Sequence, residues 1–233
     1  MSSYLSFNEI INANRYKFII FELQFDIIMK VLLVQPEVRL DDKPFDFPFW
    51  AGIFASIVEQ KGGQVAILDL NAIRMNYGGD YVPLEQIKKD ILSEKWDLIG
   101  ISGLTTMYRR IKELVPIIKK LSPDSILVAG GGFATYNPDE ILQLIPQIDL
   151  IGIGEGEETF SEIYDTINDG SNDFEKIKGL CINENGFPKY TEPRALIPDL
   201  DTVPYPAYDL YELDVYFKYS SYPYSVEAFN AKR

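Results

Sequence analysis

The stretch SILVAGGGFATYNPDEILQLIPQIDLIGIGEGEETF, residues 125–160, decides the fold. An apolar run ends in Gly130-Gly131-Gly132, a helical segment follows, and a second apolar run ends in a Gly-Glu-Gly-Glu-Glu turn that opens another helix. Two buried parallel strands therefore deliver glycine-rich turns to one edge of a sheet, the edge at which open α/β sheets bind ligands. Glycine takes positive φ there and lets a ligand lie against bare backbone, because no Cβ intervenes. One such cluster alone reads equally well as a tight strand-to-helix turn; two on the same edge favour a ligand site. Between them, Asn137-Pro138 places a capping side chain before a proline at the first helical position, with Asp139 and Glu140 beside the positive helix end.

Working outward, short runs rich in Val, Ile and Leu predict strands at 30–35, 64–69, 97–102, 125–130 and 148–153. Helices are predicted at 48–61, 84–94, 107–121, 138–145 and 157–168, with Lys119 and Lys120 in a last turn before Ser122-Pro123. Five alternating units predict a five-stranded, doubly wound parallel sheet of Rossmann-like or flavodoxin-like type over residues 29–170. Residues 171–196 read as an appendage built on a β-hairpin, Leu180 to Tyr190, turning at Asn185-Gly186. Residues 197–233 read as a connector, because Pro198, Pro204 and Pro206 remove backbone donors and favour extended chain. Residues 1–28 form an extension of different character. Glu9, Arg15, Lys17, Glu22 and Asp26 interrupt its apolar residues, so it is neither a membrane span nor a secretory signal.

The chain has 233 residues, 46% hydrophobic and 13% aromatic, enough for one α/β core with an appendage. A net charge of −13 disfavours binding to a nucleic-acid backbone, and an acidic cytoplasmic protein without membrane contact is expected. The single cysteine, Cys181, excludes an internal disulfide; its GLCINENG context reads as a small buried thiol. The chain contains no histidine, which excludes Ser-His-Asp and Cys-His devices. Glu155, Glu157 and Glu158 read as stabilisers of a helix N-terminus rather than an acid-base pair, leaving Gly154, Gly156 and Thr159 as the better contacts. Arg109, Arg110 and Lys112 read as a solvated helix face. Phe45, Phe47, Phe49 and Trp50 read as core or lid.

Several segments together resemble a known family: MKVLLVQPEVR (29–39), LIGISGLTTMYRRIKELVPIIKKLSPD (98–124), GGGFATYNPDEIL (130–142), IDLIGIGEGEETFSEI (148–163) and IPDLDTVPYPAYDLYELDVYF (197–217). They look like the N-terminal cobalamin-binding domain of cobalamin-dependent radical S-adenosylmethionine enzymes, from Met29 to the end. In cobalamin domains D-x-H-x-x-G supplies a cobalt-binding histidine, and S-x-L and a glycine pair follow. The matching positions here are Asp69 to Arg74, Ser102-Gly103-Leu104 and Gly130-Gly131, with Asn71 in place of the histidine and Arg74 in place of the glycine. The resemblance implies cobalamin contacts from Asn71, Ser102, Gly103, Leu104, Thr105, Thr106, Gly130, Gly131, Gly132, Phe133, Gly154, Glu155, Gly156 and Thr159, and no metal ligand from this chain. A bulky side chain at Gly131 or Gly132 is expected to project into the slot for the cofactor's tail.

In the family, a sequence resembling SVEAFNAKR is followed by C-x-x-x-C-x-x-C, which holds a four-iron four-sulfur cluster and S-adenosylmethionine. The resemblance thus implies a C-terminal radical domain, in cis or in trans, that carries cluster and S-adenosylmethionine, and a methyltransferase as the intact protein. It also implies that this chain is a fragment, inactive as a radical enzyme by itself. Two other functions fit an α/β module of this kind: a stand-alone corrinoid carrier or sensor, and a flavodoxin-like receiver or nucleotide-binding domain. The receiver reading wants a phosphoacceptor Asp at the end of the third strand, where Ser102-Gly103 stands.

Overall fold

The computed structural model describes residues 28–40, 43, 44 and 47–219. The expectations for residues 1–27, for Phe45 and for 220–233 lie outside the described residues. The elements run β1 (Lys30–Gln35), α1 (Phe49–Gln60), β2 (Gln64–Asp69), α2 (Leu70–Ile73), α3 (Leu84–Ile91), β3 (Leu98–Ser102), α4 (Tyr108–Leu121), β4 (Ile126–Gly130), α5 (Gly132–Thr135), α6 (Pro138–Leu144), β5 (Leu150–Gly152), α7 (Glu157–Asn168), β6 (Leu180–Glu184), β7 (Phe187–Tyr190) and α8 (Leu213–Tyr219).

The sheet has seven strands in the order β2-β1-β3-β4-β5-β6-β7, which corrects the five-stranded expectation. β1 to β5 are parallel, and β6 and β7 then pair antiparallel. The physical reason is the edge: β5 would otherwise present a row of unpaired backbone groups, and β6 covers them, pairing Cys181 with Ile151. The Cys181 side chain is consequently buried, and burial first, with Asp139 second, pushes its thiol up to about 11.

Side chains alternate across the strands and build two cores. In β1, Leu32 and Val34 join the core under α3, α4 and α6, whereas Val31 and Leu33 join the core under α1 and α7. Because β1 lies between β2 and β3, the chain leaves it toward one side through α1 and fills the other side from β3 onward. The carboxyl ends of β1 and β3 thus flank the topological switch point, where a crevice opens.

Two local expectations are corrected. Arg110 is not solvated: it turns inward and forms a two-pronged ion pair with Glu37 at 2.8 and 2.9 Å, both side chains buried. Glu37 also accepts from Val82 N–H at 3.0 Å, tying the loop after β1 to α4 and to the entry of α3. Asn137 precedes Pro138 but its side chain does not cap the helix; it donates instead to the Glu140 carboxylate. The connector after β7 returns over α1, where Tyr211 Oη donates to Pro48 O and Ala207 N–H to Gly52 O. Gly52 is required there, since a Cβ would stand 2.7 Å from Pro206 Cβ. Among the described residues, no helix is long and apolar enough to cross a membrane.

Candidate functional site

Three glycines hollow the sheet on one face. Gly100 follows Leu98 by two residues on β3, Gly130 follows Val128 on β4, and Gly152 follows Leu150 on β5; all three leading residues face α1 and α7, so the glycines do too. The register pairs Ser102 with Gly130 and Val128 with Leu150, and two residues further on it brings Gly130 beside Gly152. Without side chains on this floor, a slot of about 230 Å³ remains between sheet and helices. Trp50 and Phe54 of α1 and Phe160 and Ile163 of α7 wall it. Phe54 and Phe160 stack with ring centroids 4.3 Å apart, and Trp50 meets Phe54 edge-on at 5.7 Å. Gly156 makes room for that stack, since a Cβ would lie 2.8 Å from Phe54 Cζ. Gly154, with φ +83°, turns the chain over the rim.

A second cavity of about 480 Å³ lies at the carboxyl ends of β1 and β3 and shares Trp50, Ser102 and Gly131 with the slot. Gln35, Val38, Asn71, Arg74, Ser102-Gly103-Leu104, Thr106, Met107 and Gly132 line it. Trp50 is fixed as the partition by its indole N–H, which donates to Gln35 Oε1 at 2.9 Å. The arrangement is a wide, mainly apolar shelf with a narrower slot leading from it beneath two helices.

Below the shelf Asp69, Leu70, Asn71, Ala72 and Arg74 are buried. Asp69 accepts from the N–H groups of Asn71 and Ala72, both at 3.1 Å, which starts α2. Tyr216 of α8 donates its hydroxyl to Asp69 Oδ2 at 2.5 Å. Burial raises Asp69 to about 6 against those stabilising bonds, and burial beside Asp69 raises Tyr216 far above the ordinary phenol range. Asn71 Oδ1 accepts from Arg74 Nε at 3.1 Å and from Val38 N–H at 3.4 Å. Arg74, itself buried, also donates to the carbonyl of Gly79 at 2.7 Å. Asparagine and arginine thus act as a pair, each positioned by the other, where the family pattern has histidine and glycine.

Of the residues expected from sequence, Gly130, Gly154, Glu155, Gly156 and Thr159 line the slot, Asn71, Gly103, Leu104, Thr106 and Gly132 line the shelf, and Ser102 and Gly131 line both. Thr105 lines neither cavity, and Phe133 is buried in the core beneath α5. Thr159 is held by the chain itself, donating to Lys178 O and accepting from Arg194 Nε. The expectation for Gly131 is also corrected. Its φ is +78°, and a Cβ there would meet Ser102 Oγ at 2.6 Å and Gly103 O at 2.7 Å, so a side chain would break the loop packing before entering any slot. Gly132 and Gly130 have open space in front of them. Sequence reasoning read Trp50 as core or lid and missed Phe54, Gln35 and the floor glycines Gly100 and Gly152; an isolated glycine inside an apolar strand was the available signal.

A deep apolar slot opening from a broader shelf suits a ligand with a flat bulky head and a slender tail. Comparison with known proteins identifies the type. Residues 47–164 match the family described as B12 binding domain. The chain is 30% identical over 203 residues to an uncharacterized methyltransferase of Pyrococcus horikoshii, covering 85% of this chain and 42% of that protein. It is 24% identical to cytidylyl-2-hydroxyethylphosphonate methyltransferase of Streptomyces wedmorensis, covering 84% of this chain and 43% of that one. It therefore spans less than half the length of these curated relatives. In fold it superposes on the cobalamin-dependent S-adenosylmethionine radical enzyme OxsB with aqua-cobalamin bound, with a TM-score of 0.67 and 20% identity over 83% of this chain and 26% of that one. The glycine-floored slot, the shelf at the switch point and the sequence match converge, and the chain belongs to the B12-binding domain family.

Proposed function

We propose that the slot and shelf together hold cobalamin, with its nucleotide tail in the slot and its corrin ring on the shelf. The observation that carries this reading is the row Gly100, Gly130, Gly152, whose missing side chains leave the slot open beneath α1 and α7. Ser102, Gly131 and Trp50 line both cavities and would stand where tail and ring join, and Asn71 and Arg74, which line the shelf, would lie beneath the ring. Cobalamin, when bound, supplies a cobalt centre that can carry a methyl group. With cobalamin bound, Phe54, Phe160 and Ile163 would shield the tail from water and the Asn71-Arg74 pair would lie against the ring, and the chain, which has no histidine, offers no imidazole to cobalt.

The names of a relative, a cobalamin-dependent radical S-adenosylmethionine methyltransferase, and of a structure of the same fold, a radical S-adenosylmethionine methyltransferase with cobalamin and a [4Fe-4S] cluster bound, support a wider reading: the intact protein is a radical S-adenosylmethionine methyltransferase, with its iron-sulfur cluster on a radical domain in cis or in trans. In that division of labour this chain positions the cobalt and the radical domain chooses the substrate. The site is tested by loading the purified chain with hydroxocobalamin. One corrinoid per chain should survive gel filtration, with a visible spectrum that lacks histidine coordination. A chain folded by circular dichroism that retains no corrinoid at saturation refutes the reading.

A further inference from the structure

Helix α8, at the end of the connector, reaches back beneath the shelf through one side chain. Among the residues of α8 only Tyr216 is buried, with 1% of its surface exposed. A helix of seven residues does not hold itself together in water, so that side chain decides where α8 sits. The Tyr216 hydroxyl donates to Asp69 Oδ2 at 2.5 Å, and the other oxygen of the same carboxylate accepts from the N–H groups of Asn71 and Ala72. The Tyr216 ring meets Phe47 edge-on with centroids 5.6 Å apart, and both rings join Ala72 in one small buried cluster.

Both partners of Tyr216 lead to the shelf. Asp69 opens the turn that carries Asn71 and Arg74, and Phe47 precedes Pro48 and Trp50; these four residues line the shelf. Lys43, which also lines it, stands 5.1 Å from the ring centre of Tyr219 at the far end of α8. Packing alone does not call for a phenol, because phenylalanine fills nearly the same space. Burying a hydroxyl and a carboxylate costs the hydration of both, and the cost is offset only where the two meet. The bond therefore ties a docked α8 to one arrangement of the segment that carries Asn71 and Arg74. We propose that Tyr216 is a positioning residue: through Asp69 and Phe47 it makes the docking of α8 and the shape of the shelf one equilibrium. The connector then sets how tightly a corrin ring is held, and a bound ring in turn fastens the connector.

This assignment rests on the cobalamin reading above, and its test separates the two. Hydrogen exchange of residues 213–219 is followed by mass spectrometry in the full chain, without ligand and with cobinamide, which keeps the corrin ring and lacks the nucleotide. The parent and Tyr216→Phe chains are also titrated with cobinamide and with hydroxocobalamin. Cobinamide should slow exchange in α8 of the parent about 5- to 20-fold, within the usual range for coupling between two sites. Y216F should lose that ligand-dependent slowing and bind both corrinoids more weakly, by up to the same factor. A residue that only supports the fold would lower the melting temperature in Y216F and leave exchange in the parent's α8 indifferent to cobinamide. That indifference overturns the proposal whether or not Y216F folds. Unchanged cobinamide affinity in a folded Y216F chain overturns it too, as does a loss confined to hydroxocobalamin, which would move the effect to the tail. A parent chain that binds neither corrinoid refutes the underlying cobalamin reading itself.

Discussion

Gly130→Val separates the fold from the ligand. Gly130 ends β4, its φ is not in the left-handed region, and a Cβ built on it meets nothing within 4 Å. Valine suits a strand, and replacing glycine at a compatible backbone position stabilises by about 0.4–1 kcal/mol through the unfolded chain. The same side chain points, like that of Val128, toward α1 and α7, and puts three carbons into a cavity of about 230 Å³. Overfilling a packed site costs about 1–3 kcal/mol, so cobalamin should bind roughly 5- to 150-fold more weakly. Hydroxocobalamin titration followed by visible absorbance, paired with a thermal melt of the unliganded chain, reads both effects. Parent affinity in a folded G130V chain would show that the tail does not enter the slot. Gly131→Val is the contrast: its clash with Gly103 O and its φ of +78° should lower the melting temperature itself.

Asp69 makes stability depend on pH. Its folded value of about 6 lies above 3.8, so the folded chain holds an extra proton between those values and stability falls as pH rises through about 4 to 6. The span corresponds to about 3 kcal/mol, and urea unfolding of the parent and D69N at pH 4 and pH 7 should show a larger loss between the two pH values in the parent than in D69N. Arg110→Ala strands the buried Glu37 carboxylate and should cost about 3–5 kcal/mol, read as a lower denaturation midpoint; a change under 1 kcal/mol would refute a buried pair. Cys181 is the chain's one thiol and is buried in β6, so a thiol reagent should label the native chain slowly and unfolded chain promptly, once per chain.

The parallel strands were legible because each is a short Val/Ile/Leu run closed by glycine or a polar turn, and the register of β1 with β2 falls on the ranges that pattern marks. Their joining to β6 and β7 was not, since sequence marks a hairpin by Asn185-Gly186 but says nothing of which edge it covers. At the site, backbone-driven features were readable: Gly130, Gly154 and Ser102 stand where chain reversal and strand ends put them. Contacts made between distant segments were not. Arg110 looks solvated beside Arg109 and Lys112 until Glu37, 73 residues away, is folded against it. Glu157 looks like its neighbours until Ile197 and Arg194 engage Glu155 and Glu158, whereas Glu157 keeps one buried carboxylate oxygen without a partner.

The most direct measurement is a crystal structure of this chain loaded with hydroxocobalamin. The account predicts the nucleotide base in the slot over Gly130, beside Phe160 and Ile163, with the corrin ring on the shelf above Asn71 and Arg74 and no side-chain nitrogen of histidine at cobalt. Corrinoid density elsewhere on the surface, or a tail folded back under the ring with the slot empty, would contradict it.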